Sequence, residues 1–497
     1  MIFQLLGKRG FLSYVANLGC SRCYTPFSRG FGRRDYSNFN RESWRLRTNS
    51  QHRADVKEIQ KCKTVTEKAK TESKKGCRYS VLLRLPYFDP VRMLLLDPMH
   101  NLFLGTARNI TRKVWIERNV LTPSKLSVIN KRLKRVHIPV EIGRLPVNIE
   151  SGATFTAEHW MNWTLYFSVY CLFELLSPSE IECWRHFVLA CRRLCKRDLT
   201  AEDIIVSDTL LMRFCRRTCQ IYGHDVATPN MHMHAHLASF VKDYGPIHVF
   251  WVFSFERYNG LLGKQPNNNK AIEIQLMRRF LRDGMHLDLL QGGKSQDLHE
   301  TFYDIVGKHA QSFDSMKVTT GKSCDPLYCE PSKYTMATLS QDELGVLLSV
   351  YYTRHPHYKD KLSFHNVPRC VKKYGYVTMN NSKISSKEYV LAEPVFAFPG
   401  DSEKKIRPAK IVHFINHTIT ISNEDAQRES TLFAVVQWPL NHPRQHAIGK
   451  PVEIWCKNLY EPYGKNVFVP IDNITGRVMY AHEPIDGEEV VVIIPMV

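Results

Sequence analysis

The spacing of apolar residues changes along this chain from a helical pattern to short, strand-like runs. Between residues 97 and 245, apolar side chains recur every three or four positions, as at Ile181, Trp184 and Val188, which predicts amphipathic helices. From residue 369 onward, β-branched runs separated by turn residues predict strands. These strands cover residues 374–378, 389–391, 409–414, 432–438, 451–455, 467–469 and 490–494. We therefore predict an α+β chain that ends in a small all-β domain of SH3-like size.

Length and composition are those of a large intracellular globular protein. The chain has 497 residues, of which 43% are hydrophobic, enough for two or three domains with their own cores. Its 14 cysteines form no compact framework, so we expect reduced thiols and an intracellular location. No stretch approaches the roughly eighteen uncharged apolar residues of a transmembrane helix, so we expect no membrane partner.

Two short motifs, far apart in the sequence, offer metal ligands. Thr228 and Pro229 predict a helix start, so His232 and His236 should project from one helical face while His234 points away. Cys20 and Cys23 supply two thiolates on a tight turn. Together the four side chains would complete a tetrahedral Cys2His2 zinc site. The alternative is a pair of buried thiols and a helix with surface histidines.

The order of these motifs resembles that of CACTA (En/Spm, tnp2-type) DDE transposases. The resemblance covers roughly residues 7–285 and adds two further motifs, Asp97-Pro-Met-His100 and Phe255-Glu256-Arg257-Tyr258. It implies a partial ribonuclease-H-like core, interrupted by a helical insertion that carries structural zinc. In such a core two aspartates and a glutamate hold two divalent ions for DNA strand transfer. The resemblance also implies DNA as a partner, a nuclear location and pairing of DNA ends by multimers.

Glu256 matches the catalytic glutamate of that family. The resemblance places both aspartates upstream of the two cysteines, yet no acidic residue precedes Asp35. Because one glutamate cannot hold two dications, we predict a catalytically inactive protein, and Mg²⁺ or Mn²⁺ would serve only an active form. Asp97 belongs to a separate motif of the family. It is predicted to cap a helix, while His100 either supports the metal site or packs.

Basic residues are concentrated near the N-terminus. The whole chain carries a net charge of +20, and residues 22–78 contribute 16 basic and 6 acidic side chains. This excess favours the interpretation that the segment binds phosphates. The alternative is that the segment is a solvated insertion. The predicted DNA-binding residues are Arg33, Arg34, Arg45, Arg47, Lys61, Lys63, Lys74, Lys75, Lys131, Arg132, Lys134, Arg135, Arg278 and Arg279.

Five segments follow from these patterns. They are a core remnant (1–96), a helical insertion (97–245), a final core helix with Glu256 (246–290), a connector (291–368) and a β domain (369–497). The favoured function is that of a transposase-derived DNA-binding protein. One alternative is an active transposase represented by an incomplete gene model. Another is a host chromatin or adaptor protein that binds a peptide partner through its β domain.

Overall fold

A computed structural model describes residues 10–292 and 328–497, except for 140–141, 144, 151–153, 266–267, 269, 380–381 and 421–427. The chain divides into two compact units. One combines residues up to Trp251 with residues from Tyr328 onward, and the other runs from Val252 to Leu327. The predicted connector lies outside the described residues between 293 and 327.

The first half of the chain is mainly helical, as its apolar spacing predicts. Its helices are α1 (Asn49–Gln60), α2 (Val65–Lys75), α3 (Met99–Ala107), α4 (Ile110–Ile116), α5 (Pro123–Arg135), α6 (Ala157–Asn162), α7 (Trp163–Phe167), α8 (Ser168–Leu172), α9 (Pro178–Leu194), α10 (Ala201–Tyr222), α11 (Pro229–Tyr244) and α12 (Ile247–Phe250). The second unit contains α13 (Phe253–Gly263) and α14 (Ile272–Gly292). Among the described residues, no helix has the length and apolar character needed to cross a membrane.

Helix starts follow from local side-chain chemistry. Ser177 and Thr200 begin α9 and α10 with capping boxes, in which Glu180 and Asp203 complete the reciprocal hydrogen bonds. Several large aromatic side chains of the helical region are fully buried, among them Trp115, Trp160, Trp163, Trp184, Phe167 and Tyr170. Core packing is therefore the role that the structure supports for the fully buried aromatic residues of α6 to α8.

In its described residues the C-terminal region is all-β apart from one long helix and two short 3-10 helices, which confirms the predicted change of class. Two-residue strands β1 (Arg29–Gly30), β2 (Arg33–Arg34) and β3 (Val136–His137) precede it. Its elements are β4 (Tyr328–Cys329), β5 (Thr335–Thr338), α15 (Gln341–Arg354), β6 (Cys370–Tyr374), β7 (Tyr376–Met379), β8 (Ser382–Ser385), β9 (Tyr389–Ala392), β10 (Arg407–Thr420), β11 (Arg428–Gln437), β12 (Pro439–Asn441), β13 (Glu453–Tyr460), β14 (Phe468–Pro470), β15 (Ile474–Ile485) and β16 (Glu488–Pro495).

One antiparallel sheet has the strand order β12-β13-β16-β15-β9-β10-β11-β14, and β4, β7 and β8 form a smaller sheet. Helix α15 buries Leu344, Leu347 and Tyr351 against β10 and β11. Because β5 and α15 share this core, the β region begins before residue 369 and takes in the described part of the predicted connector.

Helix α5 contacts the β region through a buried charge cluster. Arg132 donates from Nε to Glu483 Oε1 at 3.2 Å, and Arg135 donates to Glu483 Oε2 at 2.6 Å. Tyr170 also donates its hydroxyl to this carboxylate, and β3 pairs with β15. The prediction that Arg132 contacts DNA is therefore corrected, because its guanidinium is buried against a carboxylate of its own chain.

Within the described residues before 97, the strands are the β1–β2 pair, joined as Arg29↔Arg34 and Gly30↔Arg33. Most of this segment consists of α1, α2 and loops, with small hydrophobic clusters of its own around Phe11 and Ile59. In the second unit, α13 has no buried residue, and α13 and α14 expose Phe255, Met277 and Phe280.

Candidate metal centre

Cys20, Cys23, His232 and His236 lie together in one buried cluster. Their four ligand atoms are within 4.8 Å of one another, although the two motifs are more than two hundred residues apart. Cys20 Sγ lies 3.5 Å from His236 Nε2, and Cys23 Sγ lies 3.4 Å from His232 Nε2. The predicted meeting of the two motifs is confirmed, and the cluster can hold a metal ion.

Hydrogen bonds fix both sulfur atoms of the cysteine loop. The backbone N–H of Arg22 donates to Cys20 Sγ at 3.3 Å, and the Cys23 thiol donates to Thr25 Oγ1 at 3.1 Å. The N–H contact stabilises negative charge on Cys20 Sγ. The two hydrogen bonds hold both sulfur atoms toward α11.

Arg47 fixes the backbone of this loop from inside the protein. Its Nε donates to the carbonyls of Cys20 at 2.9 Å and Cys23 at 3.1 Å, and the side chain is 4% exposed. Its Nη2 approaches Gly76, whose left-handed φ of 68° and close neighbours leave no room for a Cβ. The predicted contact of Arg47 with DNA is corrected, because its buried guanidinium donates to carbonyls of its own chain.

Helix α11 places its histidines as the sequence predicts. Thr228 caps the helix by accepting the Met231 N–H, and Pro229 occupies its first turn. His234, on the opposite face, lies 3.0 Å from Thr106 Oγ1 in α3 and 3.7 Å from Cys215 Sγ in α10. One face of α11 therefore serves the cluster while the other is anchored in the core.

Aromatic rings enclose His232. Trp44 lies against it with ring centroids 4.5 Å apart, and Phe27 meets it edge-on at 4.9 Å. The second ring nitrogen of His232, Nδ1, is buried and has no hydrogen-bond partner among the described residues. Packing against these rings therefore sets the position and orientation of the His232 side chain.

Burial controls protonation at the cluster. Burial lowers the pKa of His236, so its imidazole is neutral and has a lone pair for a metal. Burial raises the pKa of the Cys20 thiol, while the hydrogen bond from Cys20 lowers the pKa of Cys23. Binding of a metal ion to both sulfur atoms would displace the proton that burial retains on Cys20.

Asp97 and His100 are not members of the cluster. The Asp97 carboxylate accepts the backbone N–H groups of Met99 and His100, and His100 Nδ1 lies 2.5 Å from it. Asn101, one residue later, donates to the Asn230 carbonyl at the start of α11 at 3.0 Å. The predicted capping role is confirmed, and the motif supports the centre by starting the helix on which α11 rests.

The remaining basic residues differ in their surroundings. Arg33 and Arg34 donate to backbone carbonyls, Arg45 lies over the Tyr24 ring, and Lys75 pairs with Asp55 and Glu58. The exposed side chains are those of Arg33, Arg45, Lys61, Lys63, Lys74, Lys131, Lys134, Arg135, Arg278 and Arg279. Glu256, Arg278 and Arg279 belong to the second unit, and Glu256 is not part of the metal-ligand cluster found among the described residues.

Sequence reasoning did not assign Arg47 and Trp44 to the metal centre. The signal available was their position in an aromatic and basic stretch, which equally suits a nucleic-acid surface.

Comparisons with protein-family models, with curated proteins and with solved structures found no match.

Proposed function

We propose that this chain is a zinc-containing DNA-binding protein derived from a CACTA-type transposase, and that it does not cleave DNA. In this proposal residues 10–96 and the Glu256 helix descend from a ribonuclease-H-like core, while the helical region between them is the zinc-bearing insertion. The observation that carries it is the buried cluster formed by Cys20, Cys23, His232 and His236, which belong to two of the motifs on which the resemblance depends.

Zinc suits the donor set and its dimensions. Two thiolates and two imidazoles form a common structural zinc site, with Zn–S near 2.3 Å and Zn–N near 2.0–2.1 Å. A tetrahedron with these bond lengths separates a sulfur from a nitrogen by about 3.6 Å. The two distances measured between sulfur and nitrogen, 3.5 and 3.4 Å, agree with this value. Bound zinc would supply structure alone, since all four positions are protein ligands.

The net charge supports DNA as the partner, and the set of available carboxylates supports the absence of DNA cleavage. The chain carries a net charge of +20, and Lys61, Lys63 and Lys74 are exposed in its basic N-terminal region. Hydrolysis or strand transfer by two metal ions needs several carboxylates at one place. Glu256 belongs to no metal-ligand cluster among the described residues.

Two measurements on the full chain test this proposal. We expect about one zinc per chain by elemental analysis, lost in His236→Ala and retained in Cys62→Ser, a thiol outside the cluster. We expect duplex DNA affinity to fall steeply as salt rises, with no nicking of supercoiled plasmid in Mg²⁺ or Mn²⁺. Metal-dependent nicking by the chain would contradict inactivity, and salt-independent or absent DNA binding would contradict the assigned partner.

A further inference from the structure

A groove of about 460 Å³ lies beside the metal cluster, and its walls include four arginines. These are Arg22, Arg41, Arg47 and Arg92, while Asp243 is the one carboxylate among the lining residues. Trp44 and His236 also line it, so the groove includes one member of the cluster and a ring packed against it. We call it the arginine groove.

Three side chains of the arginine groove have buried N–H donors without acceptors. They are Arg22 at Nε and Nη2, Arg41 at Nε and Trp44 at Nε1, none of which has a hydrogen-bond partner among the described residues. Arg22 is 7% exposed. Leaving buried donors unpaired costs free energy, and such groups are uncommon in folded proteins. Their concentration around one groove indicates a missing acceptor.

Existing ion pairs leave this groove positive. Arg22 lies 3.8 Å from Asp243, a long contact, and Arg92 pairs with the same carboxylate. Arg41 donates to Asp208 through its two terminal nitrogens, at 2.7 and 2.5 Å, so its Nε takes no part in this ion pair. One carboxylate thus serves two of the arginines that line the groove.

We propose that the arginine groove binds a phosphate of a DNA strand. This inference rests on the proposed DNA binding and adds where one backbone contact is made. A phosphate presents several anionic oxygens, which match the planar, multiple donors of arginine. The volume is in the range of small-ligand pockets and accommodates a phosphate with its sugar.

The groove also gives the metal centre a role in binding. Trp44 contacts both His232 and His236, and Arg22 lies between the two cysteines. Closing the cluster therefore holds two donor side chains of the groove in place. Metal removal is therefore expected to weaken DNA binding, because Trp44 and Arg22 would lose this support.

Two substitutions in the full chain test the proposal. Trp44→Phe removes the indole N–H and keeps a ring beside His232, so we expect DNA binding to weaken by about three- to tenfold. Arg41→Gln is expected to weaken it by about tenfold and to lower the slope of log affinity against log salt by about one. Fluorescence anisotropy with a labelled duplex measures both.

Arg118→Gln is the matched control. Arg118 is 39% exposed and pairs with Asp225 at 2.6 Å, whereas Arg41 is 34% exposed and pairs with Asp208, so the charge change and pairing are alike. Less than about twofold weakening is expected in this control. Zinc content is measured for every variant, and Trp44→Phe carries the test alone if Arg41→Gln loses metal.

The outcomes separate the two proposals. Equal effects of Arg41→Gln and Arg118→Gln, together with unchanged binding by Trp44→Phe, would overturn the groove assignment and leave DNA binding standing. A wild-type chain that lacks salt-dependent DNA binding would overturn the proposed function, and the groove assignment with it.

Discussion

At the scale of single residues, the metal centre depends on side chains that hold its ligands through the backbone. Arg47 donates to the carbonyls of both cysteines, and its guanidinium lies 4.0 Å from the centroid of the Tyr24 ring. A buried arginine with so many carbonyl acceptors cannot be replaced without leaving several of them unpaired. The geometry of the two sulfur atoms therefore rests on a residue that touches no metal.

Replacing Arg47 by methionine is expected to accelerate metal loss. Supporting partners of metal ligands typically change metal affinity by about 10- to 100-fold, so Arg47→Met should release zinc to a competing chelator correspondingly more easily. Arg45→Met is the matched control, because Arg45 also lies over Tyr24, at 4.6 Å, but is exposed. Release at the same rate from both variants would show that Arg47 does not position the cysteines.

His234 makes stability depend on pH. Burial lowers its pKa to about 3, below the ordinary value of 6.5. Between about pH 3 and 6.5, His234 is therefore protonated in the unfolded chain and neutral in the folded chain. The stability from neutral His234 is complete above pH 6.5 and is lost as pH falls from there toward about 3.

Substitution of His234 is expected to flatten this dependence. Between pH 6 and 4, His234→Phe should reduce the slope of the free energy of unfolding by up to about 1.4 kcal/mol per pH unit. Urea unfolding with EDTA present measures the slope without a contribution from metal release. An unchanged slope in His234→Phe would contradict a neutral buried imidazole.

At the scale of secondary-structure elements, α5 and β15 are joined by charges that are largely removed from water. The side chains of Arg132 and Glu483 are 10% and 8% exposed. Removing one partner of a buried pair leaves an uncompensated charge, whereas removing both does not. The stability losses from single substitutions at this junction should therefore not add up in the double variant.

A double-mutant cycle should reveal this coupling. Arg132→Met and Glu483→Gln are each expected to lower the free energy of unfolding by about 3–5 kcal/mol, and the double variant by clearly less than their sum. Glu117→Gln, in the exposed Lys113–Glu117 pair, is the control and should change stability little. Additive losses in the double variant would mean that the two side chains act independently.

Elements were predictable from the sequence where local chemistry decides them. Capping and apolar spacing identify α9, α10 and α11, and all seven predicted strands have counterparts. Strand β15 was missed because Gly476, Glu483 and Pro484 read as breaks in a strand. The two-residue turn Asp486-Gly487, both residues with positive φ, was the available signal for its hairpin with β16. Burial of Arg47 and Arg132 depends on tertiary contacts that no local pattern encodes.

At the scale of the whole molecule, the metal cluster joins segments that are distant in sequence. Its ligands come from a loop near residue 20 and from α11, and the first compact unit also includes the β region. A metal that binds only when both segments are folded stabilises that state by mass action. The β10–β11 ladder, paired from Lys410↔Gln437 to Thr420↔Arg428, has its own core away from the ligands.

Chelation should therefore affect parts of the chain unequally. With a zinc chelator, amide hydrogen exchange measured by mass spectrometry should increase in residues 20–47 and in α11, while the β10–β11 ladder remains protected, because only the first two segments depend on the cluster. Cys20→Ser, which lacks a ligand, should show the faster exchange already and respond little to the chelator. Equal loss of protection in β10 and β11 would mean that the metal supports the unit as a whole. Unchanged exchange in α11 would mean instead that packing by Trp44, Phe27 and His234 holds this helix without metal.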